Sequence, residues 1–466
     1  MSREPEPRRR DTVAALDEHG HRLAIYPAEV RGKYTRLRMW LHGGLILFYL
    51  LLPWVRIKGM PAVLLDVSER RFVLLGTQFW AFDAPLLFFI LALVVFGLFF
   101  ATALWGRVWC GYACPQTVFV EAMFRRLEGW IEGPAAVRRR RDAEREGSAD
   151  WMIRKLVKWP LFAALSVAIA LSFLAYFIGS EGVMRVIQHP TSVSSKLGGV
   201  LAVVSAIILV DFGYLREQFC IIACPYGRFQ SVLMDRHSPI LAYEPGRGEP
   251  RGKGDGAGDC IDCNRCVQVC PTGIDIRNGL QMECIACAAC ADACDEVMDK
   301  LKRPRGLVGY STEAERSGQP RRPLRTRTLV YGSVLGVLTL GLTGALLTRS
   351  DLDILSLRGL EAPYQEVKGA QGDLVINHLR FDLTNLVPRP RTIRMGLPRE
   401  LSAQGFAVVT ATNPVALAPA KMARTDVFIT FPKSALVRGK VKGTMEFLEG
   451  DRVVERRELT LVGPFN

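Results

Sequence analysis

Long apolar runs alternate with polar, charge-rich stretches over the first three quarters of the chain, and short alternating segments fill the last quarter. Residues 39–55, 84–105, 159–180 and 328–348 are free of charge or nearly so, and 197–215 carries only Asp211. About 20 apolar residues cross the hydrocarbon core of a bilayer, so the pattern predicts five transmembrane helices and makes the lipid bilayer the first partner. The first run reads as a retained helix, not a cleaved signal, because 38 largely polar residues precede it and no small-residue cleavage site follows. From Gly372 onward the period shortens to two, at 374–383, 407–411, 426–431, 443–448 and 453–462. Such segments, split by Pro and Gly turns, predict a β-sandwich of immunoglobulin type.

Charge orients these helices. The first 38 residues hold nine Lys and Arg, 107–155 hold ten and 216–327 hold seventeen, against four in 56–83 and two in 181–196. The positive-inside rule then puts the N-terminus in the cytoplasm and the residues after 349 outside, in the periplasm of a Gram-negative cell. The net charge of +14 does not indicate nucleic acid, because the basic residues sit in blocks beside apolar runs. All twelve cysteines fall between Cys110 and Cys294, on or beside segments assigned to the reducing compartment, and the tail has none, which agrees with that orientation.

Cys260, Cys263, Cys266 and Cys270 are spaced C-x2-C-x2-C-x3-C and followed by Pro271; Cys284, Cys287, Cys290 and Cys294 repeat the spacing. This is the pattern of a bacterial-type ferredoxin with two [4Fe-4S] clusters, in which the fourth cysteine of each run crosses to the other cluster. The expected sets are Cys260, Cys263, Cys266 and Cys294 for the first cluster, and Cys284, Cys287, Cys290 and Cys270 for the second. Paired zinc sites would also use C-x2-C, but two four-cysteine runs of this form, with the first proline present, point to iron. Asp295 stands where the second run would have its proline. Gly-rich and charged flanks suit a small inserted domain on linkers.

A second duplication lies in the membrane part. Cys110 and Cys114 before Pro115, and Cys220 and Cys224 before Pro225, form two C-x3-C-P motifs 110 residues apart. The same offset aligns Phe119 with Phe229 and Arg126 with Arg236, so we read two tandem copies of a helix pair with a following amphipathic segment. Within one helix, i and i+4 put both sulfurs on one side; the proline also suits the first residue of a new helix. A thiol at such a helix start has a lowered pKa, so Cys114 and Cys224 are expected to tend towards thiolate. Four convergent soft donors can hold Cu(I), hold another cluster, or cycle between dithiol and disulfide; buried cysteines also pack as small hydrophobes.

Weaker signals accompany these. Asp211 is an acid in an apolar run, near its end, which suits an interfacial position as well as a proton or metal role. His42 in the first apolar run is a haem or metal ligand only if a partner histidine exists, and none stands at a recognisable spacing; helix packing is the plainer role. His19 and His21 sit in a charged tail. Arg138 to Arg141 read as a topology and lipid-headgroup run, with docking of an acidic donor as the sharper alternative. In the tail, His378 is the one residue resembling a ligand.

Residues 258–277, 283–290 and 304–307, with 109–116 and 61–66, resemble the FixG/RdxA/CcoG family of membrane polyferredoxin-like proteins, over nearly the whole chain and most strongly up to Tyr310. The resemblance implies five helices, a cytoplasmic ferredoxin insertion and an Ig-like tail, giving units at 1–38, 39–245, 246–310, 311–348 and 349–466. It also implies a role in maturing cbb-type cytochrome oxidases, with reduction of Cu(II) to Cu(I) on the cytoplasmic side of the inner membrane. The implied partners are a cytoplasmic electron donor, Cu(II) or a copper chaperone or transporter, and oxidase assembly factors reached through the C-terminal domain. Two other readings stay open: a quinol-oxidising electron-transfer subunit, since nitrate-reductase-type membrane subunits resemble this core, and a non-catalytic assembly scaffold.

Overall fold

A computed structural model describes residues 24–465 apart from 58, 69–70, 81–83, 145, 255, 349–350, 359–361, 370–371, 388 and 420; His19 and His21 lie outside the described residues. The chain divides into two compact units, residues 1–75 with 81–343, and 76–80 with 344–466.

Among the described residues five helices are long and apolar enough to cross a membrane: Lys33–Trp54, Pro85–Trp105, Ala149–Gln188, Ser195–Leu215 and Thr326–Leu347. The sequence places the first start at 39, whereas the helix begins at Lys33. Its N-terminal amides are satisfied from outside the helix. Asp292 accepts hydrogen bonds from the Tyr34 and Thr35 amides at 3.2 and 2.6 Å and from the Thr35 hydroxyl at 2.7 Å. A carboxylate at that end stabilises a helix by about 1 kcal/mol. The third helix is longer than its apolar stretch and carries polar residues at both ends; Gly179 breaks it at φ 74°, a left-handed conformation that glycine takes without penalty. The fourth changes from α to a wider π-helix over Leu209–Leu215.

After the second helix, Val108–Tyr112 forms a short helix, Cys114 is extended (φ −63°, ψ 126°) and Pro115–Phe119 starts a new helix. In the second copy Phe219–Ala223 is a π-turn, Cys224 is extended (φ −72°, ψ 112°) and Pro225–Leu233 follows. Each proline thus opens a helix, where its missing N–H costs no bond. The copies diverge further on: Phe119 is buried in an aromatic cluster with Tyr49, Phe124, Phe162 and Phe212, whereas Phe229 is 64% exposed. Arg126 is helical and Arg236 lies in a turn beyond its helix.

Between the fourth and fifth long helices, residues 240–311 fold around short helices at Arg265–Gln268 and Ala289–Lys300, closed by the antiparallel pair Ile240–Tyr243 and Val308–Ser311. Its apolar core includes Cys260, Cys284, Cys287 and Cys290, and Cys110 from the first membrane motif packs against it.

The C-terminal unit holds two antiparallel sheets. One has the order Ala407–Thr410, Met422–Pro432, Gly372–Asn385, Leu352–Arg358, with Gln365–Gly369 also on the long strand. The other runs Val415–Leu417, Arg391–Gly396, Lys440–Glu449, Arg452–Val462. Phe381, Phe431 and Phe447 are fully buried between them. His378 is held by Asp426 (Nε2 to Oδ1 2.9 Å) and stacks on Phe428, which gives it a structural role on this sheet.

Candidate functional site

The two cysteine runs adopt the same local backbone. Asp262 and Asn264 around Cys263 have φ of 56° and 58°, and Ala286 and Ala288 around Cys287 have φ of 52° and 58°. Such alternation folds the chain tightly around its own sulfurs and turns amides inward; the Ala286 amide donates to Cys284 Sγ at 3.4 Å. Two small apolar voids result. One is lined by Cys260, Cys263, Cys266 and Cys294 with Tyr243, Met298 and Leu307. The other is lined by Cys270, Cys284, Cys287 and Cys290 with Leu241, Ile274 and Ile285, and also touches Cys266.

The donor set of each void is thiolate alone, in an apolar shell, which fits a cubane whose four irons each take one thiolate. Among the described residues no three His, Cys, Asp or Glu side chains converge tightly enough to hold one ion, and this holds for the four membrane thiols as for the two cysteine runs. Asp295, in the place of the second proline, lies inside the helix Ala289–Lys300, with no turn after Cys294, and accepts from the Gly306 amide at 2.9 Å, which ties the loop following that helix back to it.

The membrane motif meets this domain at the Cys284–Cys287 loop. A Cβ on Gly111 would lie 2.7 Å from the Ile285 carbonyl oxygen and 2.9 Å from Cys287 Cα, so this position requires glycine. Three side chains donate into the same loop: Arg107 to the carbonyls of Met282 and Cys284, Arg38 to that of Cys287 at 3.4 Å, and the Tyr310 hydroxyl to that of Ala286. Arg38 is paired with Glu121 at 2.6 Å, and both guanidiniums are buried. Buried cations beside thiolate-ligated iron offset its negative charge and raise its potential.

Cys110, Cys114, Cys220 and Cys224 are close enough to influence one another's ionisation. The Gln230 amide donates to Cys110 Sγ at 2.7 Å. Gln116 donates to Asp211 Oδ1 at 2.8 Å and to the Arg216 carbonyl at 3.0 Å, so Asp211 is tied to the first motif. The expectation of a thiolate at Cys114 is corrected. Its thiol does receive the backbone N–H groups of Gln116 and Thr117, but burial outweighs them and pushes its pKa up. Burial likewise raises Cys220, and takes Cys110 to about 11.

Arg138 also departs from its sequence reading as a headgroup residue. It is buried against Glu128, which also binds Arg216 at 2.9 Å and Lys158 at 3.3 Å, and Glu132 binds Lys158 at 2.9 Å and Lys155 at 3.0 Å. These cations hold the Glu128 carboxyl well below the usual range despite its burial. Arg139 and Arg140 stay exposed.

Comparison with known proteins converges on the same regions. Family models described as "4Fe-4S dicluster domain" match residues 215–255 and 250–313, one described as "4Fe-4S binding domain" matches 86–135, and "IG-like fold at C-terminal of FixG" matches 342–464. Nitrogen fixation protein FixG of Rhizobium meliloti is 32% identical over 92% of both chains. The chain belongs to the FixG/RdxA family. Protein RdxA and Protein RdxB of Cereibacter sphaeroides are 39% and 38% identical, each over 72% of this chain and 74% of the relative. As a FixG/RdxA protein with apolar helices and dicluster domains, it is a membrane iron–sulfur electron-transfer protein.

The residues that sequence reading missed are those joining the two parts: Arg38, Arg107, Gly111, Gln230, Asp292 and Tyr310. Arg107 and Gly111 stand within four residues of Cys110, and Asp292 stands between Cys290 and Cys294, a proximity that could have flagged them; Tyr310 carries no such signal.

Proposed function

We propose that this protein reduces Cu(II) to Cu(I) at Cys110, Cys114, Cys220 and Cys224, with electrons drawn from two [4Fe-4S] clusters, for assembly of a cbb-type cytochrome c oxidase. Cys260, Cys263, Cys266 and Cys294 hold one cluster, and Cys284, Cys287, Cys290 and Cys270 the other. When bound, the clusters supply electrons one at a time, which matches the single electron that Cu(II) needs. The observation that carries the reading is the contact of Gly111 with the Cys287 backbone, which sets the first thiol pair directly against the second cluster's ligand loop. Arg38 and Arg107 fix that loop and balance its charge; Gln230 orients the Cys110 sulfur. Thiolates favour Cu(I) over Cu(II), and because burial raises the pKa of the Cys110, Cys114 and Cys220 thiols, copper uptake there releases protons. The site lies at the cytoplasmic face of a bacterial inner membrane, with residues 349–466 in the periplasm, as the basic loops and cysteine placement indicate.

A second reading has its own observation: the matched 4Fe-4S regions at 86–135 and 215–255 span Cys110, Cys114, Cys220 and Cys224, which favours these thiols as ligands of a further cluster. Iron content separates these two readings, and reconstitution separates the copper reading from a quinol-type subunit or a scaffold. Protein with reduced clusters is offered Cu(II) or a quinone, and Cu(I) formation and cluster reoxidation are followed together. The copper reading expects both signals with Cu(II). Reoxidation by quinone alone would establish a quinol-type subunit in its place, and no reaction with either would leave a scaffold.

A further inference from the structure

A cleft of about 1070 Å³ lies beside the ferredoxin, walled by the segment before the first helix, that helix's first turns, the helices around Glu121 and Arg138, and residues flanking two cysteines. That volume is at the upper end of small-molecule sites. Its walls are cationic. Arg38, Arg125 and Arg138 are paired with Glu121, Glu217 and Glu128, and Arg126 shares Glu121 with Arg38 and Arg125; among the described residues Arg31, Arg36, Arg126 and Arg265 still outnumber the remaining lining acids, Glu29 and Glu296. Arg36 and Arg126 are exposed. The cleft therefore favours an anion, and arginine forks suit phosphate in particular.

Two further features make it more than an anion site. Pro271 and Ala289 form part of the wall, and they are the immediate neighbours of Cys270 and Cys290, so an occupant sits against the ligand loops of the second cluster. His42 also lines the cleft; it is 3% exposed, and its buried Nε2 has no hydrogen-bond partner among the described residues. A buried unpartnered imidazole nitrogen is costly unless something uses it.

We infer that this cleft is the entry site for a phosphate-bearing small-molecule electron donor of the reduced flavin mononucleotide class. The phosphate lies against Arg36 and Arg126, and the ring reaches inward to His42. One-electron acceptors cannot take a hydride, so a nicotinamide is the wrong class, whereas a flavin hydroquinone releases its electrons singly. Oxidation of the anionic hydroquinone yields the oxidised flavin, two electrons and one proton. The electrons match two one-electron clusters, and the proton goes to His42 Nε2. The inference rests on the proposed function only in taking the clusters as the electron store, and its test contains no copper, so the two fail separately.

The test uses full-length, cluster-loaded protein in phosphatidylcholine nanodiscs. Flavin fluorescence reads binding of oxidised FMN and of riboflavin, which has the same ring without phosphate; anaerobic mixing with reduced FMN reads bleaching of the cluster absorbance. The expected result is saturable quenching by FMN, at least about tenfold weaker with riboflavin and relieved by inorganic phosphate. That preference should vanish in the variant carrying Arg36→Ala and Arg126→Ala. His42→Ala should retain FMN binding within about threefold and slow bleaching by at least about tenfold, whereas Arg139→Ala should change neither. Absence of saturable FMN quenching overturns the inference. So does displacement of FMN by phosphatidylglycerol in the nanodisc together with bleaching that is no faster for reduced FMN than for reduced riboflavin, which would make the cleft a lipid-headgroup site.

Discussion

The chain contains two duplications rich in cysteine, and they have fared differently. In the ferredoxin both runs keep the same pair of left-handed residues around the second cysteine, and each apolar void is lined by sulfurs from both runs. In the membrane core the cysteine and proline positions are kept, yet Phe119 is buried and its counterpart Phe229 exposed, and burial holds Cys110, Cys114 and Cys220 as thiols. The first duplication is a preorganised container, whose geometry survives because every ligand position is needed at once. The second is a place where protonated thiols meet, and a metal must displace protons to bind there.

That contrast can be broken most severely at the crossing cysteines. Cys270→Ala should empty the second cluster and Cys294→Ala the first, each removing about half of the iron, and the remaining cluster's electron paramagnetic resonance signal should differ between the two variants. The next effect is at the junction. Gly111→Val forces the Cys284–Cys287 loop away, so Cu(I) formation should fall on the order of tenfold to a hundredfold while iron content stays near that of the wild type, because small misplacements are costly in rate.

Glu128→Gln should lower stability by about 3–5 kcal/mol, read as a drop in thermal unfolding temperature in detergent, since Arg138, Lys158 and Arg216 lose their shared anion. The sign with pH follows from its depressed ionisation: the contribution is present at every pH above the ordinary glutamate range and is lost only as pH falls towards the lower folded value. The wild type should therefore show no change from this group between pH 5 and pH 8. The smallest effect is chemical. With copper absent, alkylation of Cys110 should be slow near neutral pH and rise roughly tenfold per pH unit towards about 11, measured by mass spectrometry.

Much of this architecture was written in local patterns. The second apolar run matches its helix, residues 84–105 against Pro85–Trp105, and the period-two segments fall inside strands such as Gly372–Asn385 and Lys440–Glu449. Strands Leu352–Arg358, Arg391–Gly396 and Val415–Leu417 escaped, because charged residues or short length blur their alternation. The cysteine spacing was legible because a cubane demands it. The junction was not, since Arg38 and Cys287, or Thr35 and Asp292, are some 250 residues apart in sequence. The thiol ionisation was misread for a related reason: a helix start is visible locally, whereas the burial that opposes it is a tertiary property.

The most direct test counts iron. Wild-type protein, purified anaerobically, should carry about eight irons per chain, and the variant with Cys110, Cys114, Cys220 and Cys224 all changed to alanine should carry the same number with Cu(I) formation abolished. A fall of about four irons in that variant would contradict the account and make the membrane thiols ligands of a further cluster.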